Sequence, residues 1–457
     1  MSRKLRYLFA LLAVLVLVLS ACKSAAPTEE AAVTEPDAAE TDAAETEPEP
    51  EPEEAPSGRC APMSADEVDV IKIGVPLPMS APGAVAGGLA MQYAINIAVD
   101  EINAAGGVLG KPIQPIFYDT QSLPERGTAA MEYLITQECV VAVVGEYHSS
   151  AGVAENEVAH KYHIPTVFAE TWNDDITGAQ YEETFRIAPA SSMVAAADVN
   201  YISNLEGIEF VVIVTENTDY GLPAAEQTKE ALAEIGIESE IYSADKGVAD
   251  YSAIITRIQG GPTPDIVMTL ITGEDSYNFE NQAIEAGLMP TEDTICMANQ
   301  VAVQPAFWDA VPGGNYCLFR KVGLTPAAAN DVTRAFAEKY KQRFNIFPES
   351  YALEAYDAMR IMALAIENAG SLDPDAIIDA LEATDVDLAQ GHYYFPYGKN
   401  NPVPEGEPEW MWHQWPDPAV LFLQYYEEGQ SSDDAAVVYP EAYQTHGTFL
   451  IKFGETP

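Results

Sequence analysis

Positive charge is scarce in this sequence. Of 457 residues, 22 are Lys or Arg against 71 Asp or Glu, a formal net charge of −49. The phosphate term of nucleic-acid binding needs cations, so such binding is excluded. Copies of so acidic a chain repel one another, and a monomer is expected. Histidine is also scarce, at six, and no CxxC or HExxH occurs, so a zinc site is not expected. No GxSxG nucleophile elbow is present, and no calcium loop emerges from the acidic excess. No cofactor or metal, and no catalytic residue, is therefore expected. The longest N-terminal apolar run, residues 7–19, is too short for a confident transmembrane span.

That run nevertheless has a clear pattern. Ser2-Arg3-Lys4-Leu5-Arg6 is a basic leader, and the apolar run ends in Leu19-Ser20-Ala21-Cys22. The ending resembles a bacterial lipobox. It implies that residues 1–22 are a lipoprotein signal peptide and that Cys22 carries the lipid, so the mature chain is exported and anchored to a membrane without spanning it. Residues 23–66 begin with an Ala-, Thr-, Glu- and Pro-rich stretch that has almost nothing to bury. A disordered acidic tether is expected there, able at roughly 3 Å per residue to hold the body on the order of 100 Å from the lipid.

Four other cysteines can oxidise in an exported chain. Cys296 and Cys317 each lie in a short apolar stretch, and if these are adjacent strands a disulfide joins them. Cys60 with Cys139 is the other candidate pair.

From residue 69 the chain alternates strand-like and helix-like segments. Residues 70–75, 113–118, 140–144 and 165–169 read as strands, separated by helices over 88–103, 128–137 and 151–162. A second series follows, with strands at 210–214, 238–242, 265–270 and 294–297 and helices between them. Later helices cover 327–343, 351–368 and 376–382. The pattern predicts α/β architecture: two doubly wound parallel-sheet lobes. The stretch Gly106-Gly107-Val108-Leu109-Gly110-Lys111-Pro112 invites a phosphate-loop reading. However, it follows a helix and precedes a strand, the reverse of what a phosphate loop needs, and its spacing is one residue short. It reads as a helix stop and a turn.

The order of several motifs is specific. Ile71-Lys72-Ile73-Gly74 is followed by Pro78-Met79-Ser80-Ala81-Pro82, then Asp100-Glu101-Ile102-Asn103-Ala104-Ala105-Gly106-Gly107 and Tyr118-Asp119. Next come Val144-Gly145-Glu146-Tyr147-His148-Ser149-Ser150, Asp219-Tyr220-Gly221, and Gln282-Ala283-Ile284-Glu285-Ala286-Gly287-Leu288. Over roughly residues 69–390 the chain resembles the leucine/isoleucine/valine-binding proteins, type I periplasmic binding proteins that serve ABC importers. From about His392 onward the likeness is poor.

The resemblance implies two lobes joined by three crossover segments, near Pro189, Lys321 and Gln390. The first lobe would comprise 67–188 plus 322–390, and the second 189–321 plus 391–457. A small-molecule solute would sit in the interlobe cleft, for delivery to an ABC permease and its ATPase. The family's ligand clamp carries over to Ser149, which would hold a carboxylate at a helix N-terminus, to Ala169 and Thr171 at the head group, to Tyr220 in the second lobe, and to Tyr351 against the ligand side chain. Taken singly, Ser149 also reads as a helix cap and Tyr351 as core.

Three positions depart from the family. Its carboxylate, which pairs the ligand ammonium, maps to Asn299; a tyrosine at that corner maps near Thr272; and a first-lobe tyrosine maps near Ala86. An ammonium buried without a carboxylate is costly. Either Glu274, Asp275 or Glu170 substitutes, or the ligand is an amide, a urea or a carboxylic acid. Trp172, Tyr147 and His148 beside the site suggest a flat or larger ligand. His160 and His163 read as surface residues, and the Trp410–Trp415 cluster as a tail wrapped against the second lobe. A sensor that docks on a signalling receptor is the alternative function, and a secreted hydrolase is weaker for want of a nucleophile motif.

Overall fold

The computed structural model describes Cys60 and residues 64–456. Cys22, the expected signal peptide and nearly all of the expected tether lie outside the described residues. The body holds two separate parallel sheets with helices on their faces. The first contains β1 (Ile71–Leu77), β2 (Ile113–Asp119), β3 (Ala142–Gly145), β4 (Thr166–Phe168) and β5 (Thr184–Arg186), in the order β2-β1-β3-β4-β5. All its pairings are parallel. The second contains β6 (Phe210–Glu216), β7 (Glu238–Ala244), β8 (Ile266–Leu270), β9 (Ile295–Ala298) and β10 (Leu318–Val322), with β11 (Val420–Gln424) and β12 (Ala436–Tyr439) added at one edge. That edge is antiparallel.

Parallel strands are buried on both faces and so read as continuous apolar runs. In β6, Val212 and Val214 enter one apolar cluster while Val211 and Ile213 enter another on the opposite face, as a period of two requires. The first sheet is covered by helices Val85–Ala104 and Ser350–Ala369, which share one core. The glycine stretch after Val85–Ala104 is a helix stop. The Gly107 N–H donates to Ile102 O at 2.9 Å, and Gly106, Gly107 and Gly110 have φ of 119°, 79° and 72°, in the region that favours glycine.

Three buried polar groups tie distant segments of the chain together. Asp357 accepts from Ala389 N, Gln390 N and the Tyr393 hydroxyl at 2.9–3.0 Å. Arg320 on β10 pairs with Asp198 at 2.8 Å. Arg186 at the end of β5 donates to Gln414 Oε1 (2.5 Å), Thr177 Oγ1 (3.0 Å) and Asn173 O.

The tryptophan-rich stretch corrects the expectation from sequence, because it lies against the first sheet. Arg186 N donates to His413 O, and Trp415 N to Arg186 O, so residues 413–415 pair with the open edge of β5. Trp415 fills the first-lobe core. The reason is physical: β5 is an edge strand with free backbone groups, and an added segment satisfies them. His160 and His163 lie at the surface as expected, their side chains 53% and 36% exposed, and each also pairs with the buried Glu183 (2.7 and 3.4 Å). Two disulfides are present, Cys60–Cys139 and Cys296–Cys317, the second joining the starts of β9 and β10.

Candidate binding cleft

In open parallel sheets, ligand sites lie beyond the carboxyl ends of the strands, where the strand order reverses. Here the two sheets present those ends to each other. Tyr147, His148 and Ser149 follow β3, and Glu170 and Trp172 follow β4. Tyr220 follows β6, Thr272 follows β8, and Asn299 and Gln300 follow β9. These nine residues line one cleft between the strand ends.

His148 caps helix Ser149–Tyr162 by accepting from Ser150 N through Nδ1, at 3.3 Å. With Nδ1 as acceptor, Nε2 carries the proton and donates to Glu216 Oε1 at 2.9 Å, from one lobe to the other. Glu216 also accepts from the Thr218 hydroxyl (2.7 Å) and from Thr272 N and Oγ1 (both 2.8 Å), with Lys246 at 3.6 Å. Burial opposes its ionisation, but the Lys246 charge and the bonds from His148 and Thr272 outweigh burial. The carboxyl is held well below the usual range. Further bonds cross between the lobes: Asp219 N to Ser150 Oγ (3.1 Å), Asn173 Nδ2 to Asp219 O, and Ala86 N to Glu274 Oε1 (3.3 Å).

Ser149 Oγ accepts from both Trp172 N and Asn173 N at 3.1 Å. Its own proton is then free to be donated, at the positive end of a 14-residue helix. Glu170 accepts from Gln300 Nε2 at 2.5 Å, again between lobes. Burial raises Glu170 to about 7, with Glu354, Gln300 and Trp172 pulling the other way.

Of the residues expected from sequence, the cavity brings together His148, Ser149, Trp172, Tyr220, Thr272 and Asn299. Ala169, Thr171 and Tyr351 are buried behind it. Ala169 N donates to Gly145 O, Thr171 O accepts from Arg186, and Tyr351 backs Tyr147 with ring centroids 5.6 Å apart. The Asn299 amide is engaged by Ile271 O (2.5 Å) and Gln300 N (2.7 Å). The Thr272 hydroxyl is held between Glu216 and Lys246. Of the three acids weighed as substitutes, Glu170 alone lines the cavity. Sequence reasoning missed Gln300, which follows β9 beside Asn299, and also Glu216 and Glu354, which no local pattern marks.

Two α/β lobes meeting around a polar, aromatic-walled cleft define a two-lobed binding protein. The chain belongs to the periplasmic binding protein family, whose model matches residues 70–403. It is 26% identical to Leu/Ile/Val-binding protein homolog 7 of Brucella abortus (strain 2308) over 358 residues, which is 75% of this chain and 87% of that one. It is 25% identical to an amino acid binding protein of Pseudomonas aeruginosa over 304 residues, 64% of this chain and 78% of that one. Among solved structures, LivJ of Streptococcus pneumoniae in complex with isoleucine superposes with a TM-score of 0.67 at 25% identity, covering 81% of this chain and all of that one. The leucine binding protein LivK of Thermotoga maritima gives a TM-score of 0.68 at 23% identity, covering 80% and 97%. A solute binding protein of R. palustris in complex with benzoate gives 0.68 at 19% identity, covering 79% and 94%. Family and neighbours are substrate-binding proteins rather than enzymes, and the family implies an extracytoplasmic location.

Proposed function

We propose that the protein is the substrate-binding lipoprotein of an ABC importer, anchored through Cys22. It takes a branched-chain amino acid or a related amide or carboxylate into the interlobe cleft and hands it to a permease and its ATPase. One observation carries this reading. The cavity wall contains buried polar atoms with no hydrogen-bond partner: Glu170 Oε2, Gln300 Oε1 and Trp172 Nε1. Trp172 Nε1 lies near enough to Glu170 to affect its titration but makes no hydrogen bond. Buried groups of this kind are normally satisfied, and a bound solute satisfies them. Closure about a solute is a hinge motion that expels water and gives the permease a shape to recognise.

The isoleucine bound to LivJ and the benzoate bound to the R. palustris protein bracket the ligand panel. Thermal-shift measurements against amino acids, amides, urea and aromatic acids test the reading. A ligand at a hundredfold excess over its Kd stabilises by about 2.7 kcal/mol. No shift with any member would contradict it. Replacing Cys22 with Ala should move the exported protein from the membrane fraction to the soluble one.

A further inference from the structure

Two unpartnered acceptors, one from each lobe, line the cleft beside two free donors, Trp172 Nε1 and the Ser149 hydroxyl. Gln300 turns its amide N–H towards Glu170 Oε1 at 2.5 Å, which fixes the amide and leaves Gln300 Oε1 as an acceptor with nothing to accept from. Glu170 Oε2 is buried and likewise without a partner. The two side chains come from opposite lobes and line one cavity. Its other walls include three aromatic rings, with Trp172 and Tyr220 edge-to-face at 6.1 Å and Tyr147 beside them. Acceptors facing aromatic rings favour a group that carries N–H donors and positive charge. The engaged amide of Asn299 offers no such seat.

Resting on the solute-binding reading above, we propose that Glu170 and Gln300, walled by Tyr147, Trp172 and Tyr220, seat a protonated nitrogen of the solute. The ligand class is then small amines, amino acids included, rather than amides or carboxylic acids without a cationic group. Because the seat is built from both lobes, the cation draws them together.

A second feature of the seat makes binding proton-linked. Glu354, from helix Ser350–Ala369, is fully buried, and its carboxyl and that of Glu170 act on each other's titration. Burial holds Glu170 at about 7 and Glu354 well above the usual range. Asp357 on the same helix and Lys321 on β10 act on Glu354 in opposite directions, while the buried hydroxyls of Tyr147 and Tyr220 stay neutral. Below about pH 7, Glu170 carries a proton that the incoming cation expels to solvent, one proton out for one cation in. Above that pH the carboxylate is already charged and no proton is released. Affinity for the amine therefore rises with pH through about 7.

Isothermal titration calorimetry on the full chain tests this. The probes are L-leucine, L-arginine, isopentylamine, isovalerate, benzoate and butyramide, run at pH 6 and pH 8 in two buffers of different ionisation enthalpy. We expect at least one amine-bearing probe to bind, with about one proton released at pH 6 and none at pH 8. Glu170→Gln should weaken that probe at least a hundredfold, and Gln300→Leu about tenfold, each variant keeping the wild-type circular-dichroism spectrum and a cooperative unfolding transition. Binding of isovalerate, benzoate or butyramide with every amine silent would overturn the amine seat while leaving the solute-binding reading intact. Equal amine affinity in wild type and Glu170→Gln would do the same. Silence of the whole panel would overturn both.

Discussion

Glu280 offers a clean test of how burial governs the second lobe. It sits on helix Asp275–Glu285, fully enclosed, and Oε1 accepts from the Ser276 hydroxyl at 2.8 Å and from Asn299 N at 3.2 Å. Through Asn299 it supports the loop that carries Gln300 into the cleft. Oε2 has no partner. Burial outweighs the two hydrogen bonds and raises the carboxyl from 4.5 to about 7. The folded state therefore binds the proton more tightly than the unfolded chain. The stabilisation from protonated Glu280 is fully present below about pH 4.5 and is lost as pH rises through about 7. The gap corresponds to about 3 kcal/mol at pH 8.

Glu280→Gln keeps the acceptor at Oε1 and never has to ionise. It should match wild type at pH 4.5 and exceed it at pH 8 by up to about 3 kcal/mol, or about 1 M in urea midpoint for a body of this size. Other buried carboxyls titrate in both proteins and cancel in the comparison. Urea denaturation of both proteins at the two pH values, with disulfides intact, measures the difference. A variant less stable than wild type at pH 8, or one shifted equally at both pH values, would refute the reasoning.

Other expectations follow from the same groups. Asp198→Ala leaves the Arg320 guanidinium buried and uncompensated, and should cost about 3–5 kcal/mol in chemical denaturation. Arg186→Leu strips Gln414, Asn173 and Thr177 of their donor, and should cost about 3 kcal/mol or more while weakening binding through the loosened Thr171–Trp172 loop. Glu216→Ala breaks the interlobe bond to His148. It should weaken binding by roughly tenfold to a hundredfold, or about 1.5–3 kcal/mol, and raise the radius of gyration of the liganded protein in solution scattering. Removing the Cys296–Cys317 disulfide by paired Ser substitution opens a 21-residue span and should lower stability by roughly 3 kcal/mol, read as a fall in Tm.

Much of the fold was legible because parallel strands advertise themselves. Runs such as Val211-Val212-Ile213-Val214 are buried on both faces and cannot alternate in polarity, and the helices between them keep their own period. The glycines at 106–110 were readable because their place between helix and strand excludes a phosphate loop. The tail was not readable. Val420–Gln424 is as apolar as any parallel strand, and nothing local says that it runs antiparallel or that residues 413–415 first seal the edge of β5. The site was half legible. Ser149, Trp172, Tyr220 and Asn299 follow strand ends in order, so motif position finds them. Glu354 reaches Glu170 from a distant helix, and Glu216 meets His148 only when the lobes face each other. Such pairings are products of tertiary structure, and a chain so rich in acids gives no hint which carboxyls are buried.

The central claim is that a small solute binds between the lobes, against Trp172. A fluorescence titration of wild type and Trp172→Phe with the solute that gives the largest thermal shift tests it most directly. The account predicts a saturable change in tryptophan emission in wild type that largely disappears in Trp172→Phe, although that variant is still thermally stabilised by the solute. An emission change of equal size in both proteins would place binding elsewhere and contradict the claim.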